Sequence, residues 1–205
     1  MNTISWYQKC MPRIKDVIPY IEKISEEIKK IEGIKSLYVW GSYAKNINDP
    51  DFRVKDIDIL VKNSFHSGDL VSLDINILNT TLSDGKLEEQ GYDPKTIKFS
   101  KQLLNVTKYN VDHWAISSDN KLLHWGPISI NKEEFDDINK KAEIYASDKI
   151  GYNRKKISKS ANEIRDNWYG LYHDYVNQFF SDMPSGWYQT EDADIKEILK
   201  SAIKL

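Results

Sequence analysis

Between Pro12 and Ile31 the apolar residues Ile14, Val17, Ile18, Ile21, Ile24, Ile28 and Ile31 recur every three or four positions, with Lys, Glu and Ser filling the gaps. That spacing predicts one amphipathic helix, with Pro12 suited to its first turn and Gly33 to its stop. Pro19 has no amide proton, so the same pattern also admits a helix starting at Pro19 after a separate turn. At Ser36 the period shortens. Ser36–Trp40 (SLYVW) is rich in β-branched and aromatic side chains and predicts a short strand entering a tight turn at Gly41-Ser42. Residues 46–55 (NINDPDFRVK) hold turn formers and predict a loop. Residues 56–62 (DIDILVK) alternate and then become apolar, as expected of a second, well-buried strand.

The pattern weakens over residues 63–92. Val71–Leu78 is a strand candidate, and residues 79–91 are polar and turn-prone. Pro94–Val106 predicts a short helix with Ile97, Leu103 and Leu104 on its apolar side, and Tyr109–Ser117 (YNVDHWAIS) predicts a strand. A polar turn then leads to Leu122–Gly126, its expected hairpin partner. After Pro127 the texture becomes helical, over Asn131–Lys149 and Asn153–Phe180. A Met-Pro-Ser-Gly-Trp break at 183–187 precedes a last short helix, Asp192–Ile203. The expectation is an α+β chain, with a small mixed β-sheet flanked by helices in residues 1–130 and a C-terminal helical region in residues 131–205.

Composition narrows the classes. The chain has 205 residues, with 29 basic and 31 acidic side chains and a formal net charge of −2, which argues against a whole-domain basic footprint for duplex DNA. The hydrophobic share of 40% and charged share of 29% are those of an ordinary globular protein rather than a disordered one. Cys10 is the single cysteine, so an internal disulfide and a Cys-rich zinc site are excluded, and a reducing compartment is expected. No apolar run approaches the roughly 20 residues of a membrane span, and the first residues hold no signal-peptide core. A cytoplasmic protein without a membrane partner is expected. The four histidines form no ligand set; His113 and His124 fall on adjacent predicted strands, where packing outweighs a metal pair. Phosphate-loop, dinucleotide and nucleophile-elbow motifs are absent from the sequence.

The chemistry concentrates in residues 37–61, LYVWGSYAKNINDPDFRVKDIDILV. One strand delivers Gly41-Ser42 at its end, and after 13 intervening residues Asp56-Ile57-Asp58 opens the next. Residues two apart on a strand share a face, about 7 Å apart along the chain, so Asp56 and Asp58 point together while Ile57, Ile59 and Val61 pack behind. Two carboxylates aimed one way repel unless a cation lies between them. Hard oxygen donors suit Mg²⁺, which takes one or two carboxylates together with substrate phosphates. Gly41 lets backbone approach a phosphate closely, the Ser42 hydroxyl can bond its oxygens, and Lys45 can neutralise its charge. Such equipment suits phosphoryl or nucleotidyl transfer.

This strand–Gly-Ser–spacer–Asp-Ile-Asp arrangement resembles the polymerase-beta-like nucleotidyltransferase superfamily, and GSYAK resembles the Gly-Ser-x-Ala-Arg/Lys of its minimal bacterial members. The resemblance implies that Gly41 and Ser42 hold a triphosphate and that Asp56 and Asp58 bind Mg²⁺ or Mn²⁺. It further implies a third carboxylate on a later strand, which binds one metal and helps deprotonate the acceptor. Asp112, directly after a predicted helix, is favoured over Asp74. The implied activity is Mg²⁺-dependent transfer of an NMP from an NTP to an acceptor hydroxyl on a small molecule, a protein or an RNA. The alternative is a catalytically silent member of the same fold that acts with a partner, of toxin–antitoxin or defence type.

Plainer readings stand beside these. Gly41-Ser42 can be turn chemistry alone, Asp56 and Asp58 can pair with Arg53 or Lys55, and Asp112 can cap a turn. Asp49 and Asp51 are expected in an exposed loop. In the helical half, Tyr169 and Tyr172 are expected mostly as core, with base stacking the sharper alternative. Arg154, Lys155, Lys156 and Lys159 cluster where a helix start disfavours cations, and a solvated charged turn is preferred over an anionic partner.

Overall fold

The computed structural model describes residues 12–54, 56–106, 111–128, 132–153, 161–180, 184–190 and 194–205. The first apolar stripe forms α1 (Ile14–Ile28), which buries Ile14, Val17, Ile21, Ile24 and Ile28. Ile18, counted in the stripe by its spacing, lies 37% exposed instead. Pro19 sits inside α1 rather than starting it. It leaves the Lys15 carbonyl without an intrahelical donor, a cost that burial of the stripe outweighs. Asp16 closes the helix start by accepting from the Arg13 amide at 3.3 Å.

The strands are β1 (Ile34–Trp40), β2 (Ile57–Asn63), β3 (Val111–Ile116), β4 (Leu122–Pro127), β5 (Ser185–Gln189) and β6 (Ile203–Lys204). They form one mixed six-stranded sheet in the order β5-β4-β3-β2-β1-β6. The β2/β3 pair is parallel and every other pair is antiparallel. The crossover from β2 to β3 carries the short helices α3 (Ser67–Val71), α4 (Ile75–Leu78) and α5 (Asp84–Glu89) and the longer α6 (Pro94–Val106). α2 (Gly41–Lys45) lies between β1 and β2, and α9 (Ile195–Ser201) between β5 and β6. The fold is therefore α+β, with a mixed sheet flanked by helices.

The two faces of the sheet are packed differently. On one, Leu37, Val39, Ile57, Ile59, Val61, Ala115, Leu123 and Trp187 join the buried residues of α1 and α6 in the main core. On the other, Leu60, Ile116 and Leu122 are covered by Ile195, Ile198 and Leu199 of α9. Two expectations fail here. Val71–Leu78 is not a strand but the end of α3 and all of α4, because the Asp74 carboxylate caps α4 by accepting from the Asn76 and Ile77 amides at 2.8 and 3.0 Å. The predicted break at 183–187 gives way at Ser185 to β5, whose residues 185–189 pair in register with β4.

The chain divides into two compact units. One comprises Arg13–Ile128 with Ser185–Leu205 and contains the sheet, so the residues after 185 return to it instead of continuing the helical region. The other includes Ser129–Pro184 and contains α7 (Lys132–Asn153) and α8 (Ala161–Phe180). These two helices form an antiparallel hairpin. Ala146, Ile150 and Trp168 are buried between them, and the Trp168 indole donates to the Ser147 hydroxyl at 3.2 Å. Tyr172 stacks on Trp168 and donates to Asn139 at 2.6 Å, a packing role. The basic cluster Arg154, Lys155, Lys156 and Lys159 and the Tyr169 side chain lie outside the described residues. Among the described residues no helix is long and apolar enough to cross a membrane.

Candidate functional site

Strand alternation decides which side chains can meet. On β2, Ile57, Ile59 and Val61 go to the main core, so Asp58 and Leu60 go to the opposite face. The parallel register sets Asp58 beside Asp112, and Leu60 beside Trp114. On its other side Asp58 pairs with Trp40, the last residue of β1. Asp56, Asp58 and Asp112 are thus brought to one end of two adjacent central strands, with Asp56 just before β2 begins. Asp74, the rival third carboxylate, is spent on capping α4.

Gly41 follows Trp40 with φ +65°, in the left-handed region. A Cβ built there would lie 2.0 Å from Asp58 Oδ2 and 2.9 Å from its Cγ. Only glycine lets the backbone press against this carboxylate. Ser42, the next residue, is half-buried, and its carbonyl accepts from the Asn46 amide group at 2.8 Å, which ties the α2 turn back on itself. Lys45 ends the same turn and is exposed.

These neighbours perturb Asp58. Burial, then the charges of Asp112 and Asp56, push its carboxyl up to about 7. The Trp114 indole and the Lys45 ammonium act in the opposite direction, although the indole N–H has no hydrogen-bond partner of normal geometry. A half-buried acid crowded by two others is the electrostatic situation a divalent cation relieves, and three carboxylates are the hard oxygen donors that Mg²⁺ takes. The donor chemistry fits such an ion. The side chains do not yet converge on one, since among the described residues no group of three acidic, histidine or cysteine side chains could hold a metal as placed.

The plainer alternatives resolve in part. Asp51 is a surface residue, bound by Lys15 Nζ at 2.7 Å and 66% exposed at its side chain. Arg53 forms a backbone bridge with Arg13, and Lys55 lies outside the described residues. His113 and His124 do lie on adjacent strands, but they go to opposite faces. His113 pairs with Ile59 and His124 with Trp114, so they cannot share a metal.

Spacing alone did not reveal the polar aromatic cluster beside the acids. The Trp40 and Trp114 rings meet edge-on with centroids 5.0 Å apart, and Trp114 stacks on His124 at 4.0 Å. His124 Nδ1 and the Tyr188 hydroxyl hydrogen-bond at 2.5 Å. The one available signal was His124 opposite Trp114 in a hairpin; Tyr188 arrives on β5, a strand the sequence pattern concealed. No family model, curated protein or solved structure matches this chain.

Proposed function

We propose that this protein is a Mg²⁺-dependent nucleotidyltransferase that moves an NMP from an NTP to an acceptor hydroxyl. The observation that supports it most is the pairing of Asp58 with Asp112 across β2 and β3, with the Gly41 backbone pressed against Asp58. In this reading Gly41, Ser42 and Lys45 receive the triphosphate. Asp56, Asp58 and Asp112 would hold Mg²⁺, or Mn²⁺ in its place, and the ion would offset charge developing on the phosphates. The acceptor oxygen forms a bond to the α-phosphorus as the bond from phosphorus to the bridging oxygen breaks. Pyrophosphate leaves with that electron pair, and the hydroxyl proton passes to the Asp112 carboxylate, the more exposed of the two paired acids. The single cysteine fits a cytoplasmic setting for this chemistry.

Incubating the protein with each α-labelled NTP, Mg²⁺ and a cell lysate tests the reading. Label is expected in one class of acceptor, and it is expected to vanish in Asp58→Asn and Asp112→Asn. Failure of every NTP with Mg²⁺ to raise the melting temperature would refute nucleotide binding altogether. The acids do not converge on one point as placed, which favours a second reading: a nucleotide-binding member of the fold that acts through a partner without turnover. Retained NTP binding with no label transferred to any acceptor would select it.

A further inference from the structure

Buried polar atoms are nearly always hydrogen-bonded, so exceptions point to something that would satisfy them. Among the described residues four buried side-chain polar atoms have no hydrogen bond of normal geometry: Trp40 Nε1, Asn63 Nδ2, Trp114 Nε1, which acts on Asp58 all the same, and His124 Nε2. Three of these, all but Asn63, lie on the face that carries Asp58 and Asp112. His124 is only 8% exposed. Its Nδ1 is committed to Tyr188, so whichever nitrogen carries the proton, Nε2 keeps an unmet donor or acceptor. Gly126, two residues beyond His124 toward the Asp112 end of β3, brings no side chain to this stretch. A Cβ there would stand 3.3 Å from the Tyr188 ring and 3.9 Å from the His124 ring.

Topology says which reactant this cluster would meet. α2, with Gly41, Ser42 and Lys45, follows β1 on one side of the acids, whereas His124 and Tyr188 lie on β4 and β5 on the other. Displacement at the α-phosphorus is in line, so the attacking oxygen enters opposite the departing pyrophosphate. We propose that Trp114, His124 and Tyr188 form the acceptor platform, and that the acceptor is a hydroxyl on a neutral ring, a sugar or a nucleoside. This rests on the nucleotidyltransferase reading above. The Trp114 indole, itself stacked on His124, and the buried imidazole–phenol pair offer aromatic surface and hydrogen bonds without charge. Burial pushes the His124 imidazole down to about 4, which keeps it neutral near pH 7. A polycation would need acids beyond the three assigned to metal, and an RNA end would need cations that β3, β4 and β5 do not place on this face.

Tryptophan fluorescence of the full chain, free of nucleotide and metal, is titrated with methyl glucoside, uridine and adenosine, and in parallel with an aminoglycoside and an RNA oligomer. Saturable quenching by one neutral ring is expected, the sugar and nucleoside arms separating the two sources. The apparent affinity should fall about tenfold in His124→Phe and in Tyr188→Phe, as for a lost ligand hydrogen bond. The melting shift caused by NTP with Mg²⁺ should be unchanged in both variants. Equal ring binding in both variants, preferential binding of the aminoglycoside or the RNA, or loss of the NTP shift in His124→Phe would each overturn the platform. No neutral ring bound beside a normal NTP shift would overturn it alone, whereas no NTP shift in the unsubstituted protein would sink the transferase reading.

Discussion

The two faces of one sheet obey different rules. Against α1 and α6 the sheet presents mainly apolar side chains, and among the described residues the Asn63 amide group is the one buried side-chain polar group on this face without a partner. The opposite face holds the same strands at the next residue along: Asp58 beside Ile59, Trp114 beside Ala115, His124 beside Leu123. There the packing leaves a carboxylate pressed by two others, two indole donors without a hydrogen bond of normal geometry, of which Trp114 still favours the charged form of Asp58, and a buried imidazole half-satisfied. Cores close their polar accounts; sites leave them open for a ligand. On the proposed reading, alternation separates stability from chemistry within a single strand.

Neighbouring substitutions on β2 should break the comparison most visibly. Asp58→Asn is expected to lower nucleotidyl transfer on the order of a thousand-fold, about 4 kcal/mol of transition-state stabilisation, while the melting temperature holds or rises as a repelled charge disappears. Ile59→Ala, one residue along and 1% exposed, should instead cost about 3 kcal/mol of folding stability by chemical denaturation, from lost transfer energy and the cavity left behind. A similar loss of activity in Ile59→Ala at temperatures where it stays folded would blur the division.

Acidification offers a second test. Burial lowers the imidazoles of both His113 and His124 to about 4 from their ordinary 6.5. Because the unfolded chain takes up these protons first, stability is intact above pH 6.5 and declines as pH falls toward 4, by up to about 3 kcal/mol for each ring. Asp58, raised to about 7, works the other way over the same range, so the histidine share is read by difference: between pH 7 and pH 4.5 the denaturant midpoints of His113→Asn and His124→Asn should each lose less than that of the unsubstituted protein. Gly41→Ala has a smaller expected cost, about 2 kcal/mol from its left-handed backbone, but it should also abolish the NTP melting shift. At the far end, Asp51→Asn should change neither stability nor transfer, since its pairing with Lys15 is solvent-exposed.

Much of this architecture could be read from residue pattern. Ser36–Trp40, DIDILVK and YNVDHWAIS carry β-branched and aromatic residues with period two, and each is a strand at nearly the expected bounds. Gly41-Ser42 does end β1, as a short helical turn, and Asp112, favoured over Asp74 for its place after a predicted helix, lies on β3 in register with Asp58. The misreadings share a cause. Val71–Leu78 alternates like a strand, but the Asp74 cap starts a helical turn that outweighs a weak propensity. Ser185–Gln189 follows Pro184 and carries Gly186, punctuation that reads as a break, and it becomes a strand only through pairing with β4. The aromatic cluster was hidden for a related reason, because Tyr188 and His124 are 64 residues apart.

The long path between β4 and β5 has a kinetic meaning. Residues 128–184 intervene before β5 returns to one edge of the sheet, so its pairing with β4 spans a wide loop. Closing it costs only about 0.6 kcal/mol more for each doubling of length, little at equilibrium, yet distant pairings form late. Tyr188 rides on that late strand whereas Asp58 and Asp112 sit on central ones. During refolding, the carboxylate pocket should therefore mature before its aromatic neighbour is complete, and amide protons of β5 should exchange ahead of those in β2 and β3.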